Sequence, residues 1–111
     1  MTLAAPRYAA ELVTRTGKVL VFDDIGCLVA FLATGEMAPG AVHSTWAHDL
    51  ASPGEWVRTG DLSFVRSDAF HTPMGSGLVA LARPQTGDSL RAALGGEQLD
   101  WAQVLARGPG R

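Results

Sequence analysis

Two hydrophobic periods alternate along this chain and divide it into elements. Over residues 7–14, Tyr8, Ala10 and Leu12 fall on one side and Ala9, Glu11 and Val13 on the other, which predicts a strand. Arg15-Thr16-Gly17 is a turn signal, with glycine available for a positive backbone angle. Residues 18–22 run apolar on both sides through Val19, Leu20, Val21 and Phe22, which predicts a central strand paired as a hairpin with the first. The period then changes. Ile25, Leu28, Val29 and Leu32 follow helical spacing, with Cys27 and Phe31 as a flanking row. This predicts a helix over 24–34 with Asp23-Asp24 at its start and Gly35 at its stop. So broad an apolar surface belongs to a helix laid on a sheet.

Beyond a loop at Met37-Ala38-Pro39-Gly40, residues 41–50 suggest a third strand. Val42, Ser44, Trp46 and His48 lie on one face, and His43, Thr45, Ala47 and Asp49 on the other. Ala51-Ser52-Pro53-Gly54 turns the chain, 55–58 form a short strand carrying Trp56, and Thr59-Gly60-Asp61 turns it again. Strands are predicted at 62–66 and 77–82. A loop at 83–87 precedes a short helix capped by Asp88 or Ser89, with Leu90, Ala93 and Leu94 inward. Gly95-Gly96, a strand over 97–100, a last helix from Trp101 to Ala106 and a frayed tail at 108–111 complete the reading. The first half is therefore β-β-α-β and the whole is α+β. Short connections favour a mainly antiparallel sheet. No repeat, low-complexity run or interdomain linker is evident.

The 111 residues suit one domain, or two small lobes sharing a core, and a 47% hydrophobic fraction is enough to build it. A formal charge of -2, with scattered Lys and Arg, argues against nucleic acid. With one cysteine, Cys27, the chain cannot form an internal disulfide or a Cys-x-x-Cys knuckle. The opening Met1-Thr2-Leu3-Ala4-Ala5-Pro6 does not read as a signal peptide. No apolar run approaches the ~20 residues that span a bilayer.

The chemistry concentrates in one connection, Arg66-Ser67-Asp68-Ala69-Phe70-His71-Thr72-Pro73-Met74-Gly75-Ser76-Gly77. Methionine sulfur is a soft donor suited to Cu(I), and imidazole suits copper and zinc. Pro73 fixes one backbone angle, while Gly75 and Gly77 open conformations closed to other residues. Either the loop holds Met74 exposed at a defined place, or Met74 caps a core edge and His71 lies on the surface. The residues alone favour the second, since methionine commonly fills gaps in cores.

Other candidates are weaker. Cys27 sits near a helix start, which lowers a thiol pKa, but Asp23 and Asp24 oppose that and Ile25, Leu28 and Phe31 surround it; a buried, inert thiol is expected. His43 and His48 fall on opposite faces of a strand, one expected at the surface and one against a carboxylate. Ser76 between two glycines lacks the strand-to-helix context of a serine nucleophile. The carboxylates Asp23, Asp24, Asp49, Asp61 and Asp68 lie at turns, as caps. The tryptophans and phenylalanines read as core, with Phe70 the one placed to shield a site. No constellation supports an enzyme.

Several segments together resemble the NosL family of accessory proteins for nitrous oxide reductase maturation. They are Tyr8-Ala9-Ala10-Glu11-Leu12-Val13, Val21-Phe22-Asp23-Asp24-Ile25-Gly26-Cys27, Gly54-Glu55-Trp56-Val57, Phe64-Val65-Arg66-Ser67 and Thr72-Pro73-Met74-Gly75-Ser76-Gly77-Leu78-Val79-Ala80. The resemblance implies a fold of two small β-β-α-β lobes (about 1–50 and 51–107) similar to that of organomercurial lyase. It also implies a Cu(I) metallochaperone, usually a periplasmic lipoprotein. Such a protein delivers copper to the reductase maturation machinery: a membrane transporter complex or the reductase itself. The family's mature domain usually opens Cys-Gly-Met. Met1 matches that methionine and Met74 the methionine of the loop, whereas the Cys-Gly is absent from this sequence. His71 is a third donor by proximity, not by resemblance. Two other classes compete. One is a metal-free interaction module in which strand edges and Phe70 dock a protein and Met74 is packing. The other is a lyase, which would need a pair of cysteines.

Overall fold

The computed structural model describes residues 6–108. Pro6–Tyr8 form a turn of 3-10 helix, and strand β1 (Ala10–Thr14) pairs antiparallel with β2 (Val19–Phe22). Helix α1 (Ile25–Thr34) follows, with Asp24 as N-cap and Gly35 in the left-handed conformation as C-cap, the ending that glycine adopts without a Cβ clash. Strand β3 (Val42–Asp49) returns beside β1, and β4 (Ser52–Arg58) pairs with β3. The second half runs β5 (Ser63–Arg66), β6 (Leu78–Leu81), α2 (Pro84–Leu94), β7 (Glu97–Leu99) and α3 (Trp101–Arg107).

One seven-stranded sheet holds these strands in the order β2-β1-β3-β6-β5-β7, with β4 on β3 off that path. All pairings are antiparallel except the short β3–β6 junction, where Asp49 lies opposite Ala80 and the Leu50 N–H donates to Ala80 O at 2.7 Å. The fold is thus α+β with a mainly antiparallel sheet, as the alternating periods predict. Both faces of the sheet are covered. On one, Ala10, Leu12, Ala47, Phe64, Leu78 and Ala80 pack with Ile25, Leu28 and Val29 of α1 and Val104 of α3. On the other, Val65, Val79 and Leu81 pack with Tyr8, Leu50, Phe70 and Leu90 of α2. Strand β6, buried at all four positions, is the two-sided strand of the sheet.

Four expectations change. Strand 7–14 begins only at Ala10, and Tyr8, folded into the 3-10 turn, packs on the opposite side of the sheet from Leu12. Strand β2 is an edge, not a central strand: its apolar run includes Val19, 50% exposed, and the run resembles that of β6 because composition does not record neighbours. Strand β4 starts three residues early, at Ser52, so the turn shrinks to Leu50-Ala51. Helix α2 starts at Pro84, not Asp88, because proline suits the first helical position, where its missing N–H costs nothing. That longer helix turns Leu90 inward and leaves Ala93 and Leu94 exposed.

Candidate functional site

The loop between β5 and β6 lies against the N-terminus of α1, and a single carboxylate joins them. Asp24 is fully buried. Its Oδ1 accepts from the Gly26 N–H at 2.7 Å and from the Ser76 hydroxyl at 2.5 Å. Its Oδ2 accepts from the Met74 N–H at 2.9 Å and, at longer range, from the Ser76 N–H at 3.5 Å. One of these donors, the Gly26 N–H, is what the first helical turn offers any N-cap. The others come from about fifty residues away in sequence.

Proton counting fixes the direction of the network. Ser76 has one hydroxyl proton and gives it to Asp24, so in the Thr72–Ser76 contact of 3.3 Å the Thr72 hydroxyl is the donor. Thr72 Oγ1 accepts from the Gly77 N–H at 3.1 Å, and Ser76 Oγ from the Leu78 N–H at 3.2 Å. The Gly75 N–H closes a turn on Thr72 O at 3.0 Å, and the Ser67 N–H donates to Gly77 O at the loop's base. Burial pushes the Asp24 carboxyl up. The hydroxyls of Ser76 and Thr72 and the N–H groups of Gly26 and Met74 outweigh it and hold its pKa below the ordinary value.

Two glycines make the approach possible. A Cβ on Gly26 would stand 2.5 Å from Ser76 Cβ, so a side chain there would push the loop off the helix. Gly77 has φ of +69°, and a Cβ on it would stand 2.7 Å from Ser67 O. The outcome is a fixed backbone with a free side chain: Met74 is 70% exposed although its own N–H is tied to a buried carboxylate. The expectation that Met74 caps a core edge is therefore wrong; the apolar positions of β6 fill that edge without it.

His71 lies on the same loop and is exposed. Met1 lies outside the described residues. Phe70 packs with Val65, Val79 and Leu81 instead of shielding Met74. Cys27 is half-buried, not buried as expected; burial, then the charges of Asp24 and Asp23, push its thiol pKa up, which disfavours the reactive thiolate. His43 is exposed and meets the Ser44 hydroxyl. His48 is buried but not against a carboxylate: its Nδ1 accepts from the Gly54 N–H at 3.0 Å, its ring stands edge-on to Trp56, and its Nε2 is buried without a partner. Among the described residues, no cluster of three or more His, Cys, Asp or Glu is arranged to hold a metal ion, and no helix is long and apolar enough to cross a membrane.

The sequence showed Asp24 as a cap and set Ser76 aside. The signal for more was the pair of hydroxyls, Thr72 and Ser76, bracketing Met74 at a spacing of four. It points to a polar scaffold under the loop but not to its distant anchor.

The architecture and loop define a class: a mixed α/β domain whose sheet, covered on both faces, carries a methionine loop seated on a helix N-terminus. The NosL family model matches residues 1–107, and the chain belongs to the NosL family. Among solved structures it is similar to the copper chaperone NosL from Shewanella denitrificans, with a TM-score of 0.77 at 20% identity, over 86% of this chain and 77% of that one. At that identity the likeness establishes the fold. No curated protein matches the chain.

Proposed function

We propose that this protein is a copper carrier, not an enzyme, and that Met74 is a donor to Cu(I). The observation that supports it is the 70% exposed Met74 thioether on a backbone held by hydrogen bonds, in a chain of the NosL family. A thioether is a soft donor that matches Cu(I). An exposed donor also allows an incoming ligand to attack before the old one leaves, which is what handing over a metal requires. Met1 and His71 are the further donors of this reading. In it the protein works in the periplasm, tethered through a lipid anchor, and passes copper to the nitrous oxide reductase maturation machinery for its copper-sulfur centre.

The alternative is a metal-free interaction module. The open apolar edge at β2, where Val19, Leu20, Val21 and Phe22 line a cavity of about 520 Å³ with Phe31, favours it. The exposure of Met74 weighs against it, because that reading needs Met74 as packing.

An anaerobic Cu(I) competition titration against a chromophoric chelator tests the choice, on this chain, on Met74→Ala, and on a chain with Cys-Gly added before Met1. The carrier reading expects Cu(I) binding that Met74→Ala weakens while unfolding free energy changes by less than about 0.5 kcal/mol, as for an exposed position. It expects tighter binding with the added thiolate. No binding to any chain, or a loss of about 2–5 kcal/mol on truncation, overturns it.

A further inference from the structure

The loop that carries Met74 contains no long-range apolar anchor of its own beyond Phe70, which packs on the other face of the sheet. What sets Met74 is polar. An ionised carboxylate offers about four acceptor positions, and those of Asp24 are taken by Gly26, Ser76 twice and Met74. With its acceptor positions filled, Asp24 has nothing left to offer an ion directly. Its effect on a metal runs through the residue whose N–H it holds. We propose that Asp24 is the positioning residue of the Met74 donor, acting through Ser76 and Thr72 to seat the loop on α1. The inference rests on the copper-carrier reading.

The chemistry explains why a carboxylate is needed. All the donors point inward: two N–H groups of the loop, one N–H of the helix, and a hydroxyl whose own acceptor position is filled by Thr72 and Leu78. An asparagine keeps the shape but replaces one acceptor oxygen with an NH2 group, which faces donors with another donor. On one side the loop loses its seat, while the Met74 side chain keeps its chemistry. A carboxylate also charges the site, so a variant that keeps the charge is needed to separate position from electrostatics. Ser76→Ala does this: it removes the 2.5 Å bond to Asp24 and the Thr72 contact and leaves the carboxylate in place.

The experiment compares wild type, Asp24→Asn and Ser76→Ala in two ways. The first, without metal, is NMR of the Met74 amide exchange rate and Met74 methyl relaxation, with Met37, which packs on the main core, as internal control. The second is the Cu(I) competition titration. Positioning predicts faster Met74 amide exchange and a looser Met74 methyl in both variants, with Met37 unchanged. It predicts a loss of Cu(I) affinity of about 10–100-fold, the usual effect of removing a group that orients a metal ligand. If Asp24→Asn does not fold, Ser76→Ala decides alone. Unchanged Met74 exchange and relaxation in folded variants overturn the proposal. So does an affinity loss confined to Asp24→Asn, which marks a charge effect. If wild type binds no Cu(I) while both variants loosen Met74, the copper reading falls and the seating of the loop by Asp24 stands.

Discussion

At the scale of single residues, this protein spends its buried polar groups on holding backbone. Asp24 and His48 are both buried, and each accepts main-chain N–H bonds in place of meeting an opposite charge. For His48 the consequence is a pH dependence. Burial pushes its pKa below the ordinary imidazole value, and the neutral ring is the one whose Nδ1 can accept from Gly54. The unfolded chain therefore takes up a proton more readily than the folded one. The stability is fully present above the unfolded pKa of about 6.5 and is lost as pH falls below it, by at most about 1.4 kcal/mol per pH unit. Urea unfolding at pH 7.5 and at pH 5.5 measures this. His48→Asn, which keeps an acceptor for Gly54 but does not titrate, is expected to flatten that slope. An equal slope in the variant would mean that other groups carry it.

At the scale of elements, two four-residue strands that are both wholly apolar have opposite fates. Strand β6 lies inside the sheet between β3 and β5, with every side chain buried. Strand β2 lies at the edge, with Val19 half exposed. Leu78→Ala in β6 is expected to cost about 2–5 kcal/mol. Val19→Lys in β2 is expected to change the unfolding free energy by less than about 0.5 kcal/mol, and a charge there blunts an edge open to pairing with another chain. Chemical denaturation of the two variants checks this; comparable losses would mean that β2 is covered in solution. Helix α1 shows the opposite case, an element whose ends are legible locally, whereas Asp100 reads as the end of a strand until the structure shows it capping α3. Asp24 and Gly35 bound α1, and an Asp100–Gln103 capping box opens α3. Helix α2 lacks a side-chain cap and opens on Pro84, which is why its first turn reads as loop.

At the scale of the whole molecule, the two halves of the chain share both cores and are hydrogen-bonded to each other at the short β3–β6 junction and at the Asp24 seat of the Met74 loop. A ligand held by the folded loop, and not by the unfolded chain, must stabilise the whole domain. With free Cu(I) at about 100 times its Kd, the linkage is about 2.7 kcal/mol. For a domain of this size that raises Tm by roughly 10–20 °C. Anaerobic thermal unfolding with and without Cu(I) is expected to show that rise in wild type and to lose most of it in Met74→Ala. The same small shift in both would remove Met74 from the site.

What the sequence determined by itself is whatever rests on neighbours along the chain. The alternation in β1, the helical period and caps of α1, the β-β-α-β order and the choice of residues 66–77 as the loop with metal-capable side chains are all local, and local patterns are written in order. The tertiary structure decided which apolar strand is central and which is edge, because hydrophobicity records burial but not the identity of the covering element. It also decided that Met74 is exposed while its backbone is fixed. Both facts depend on Asp24 and Gly26 coming within hydrogen-bond and van der Waals reach of Ser76 across about fifty residues. A lone sequence shows an aspartate at a helix start and a serine between glycines; only folding makes one the acceptor for the other.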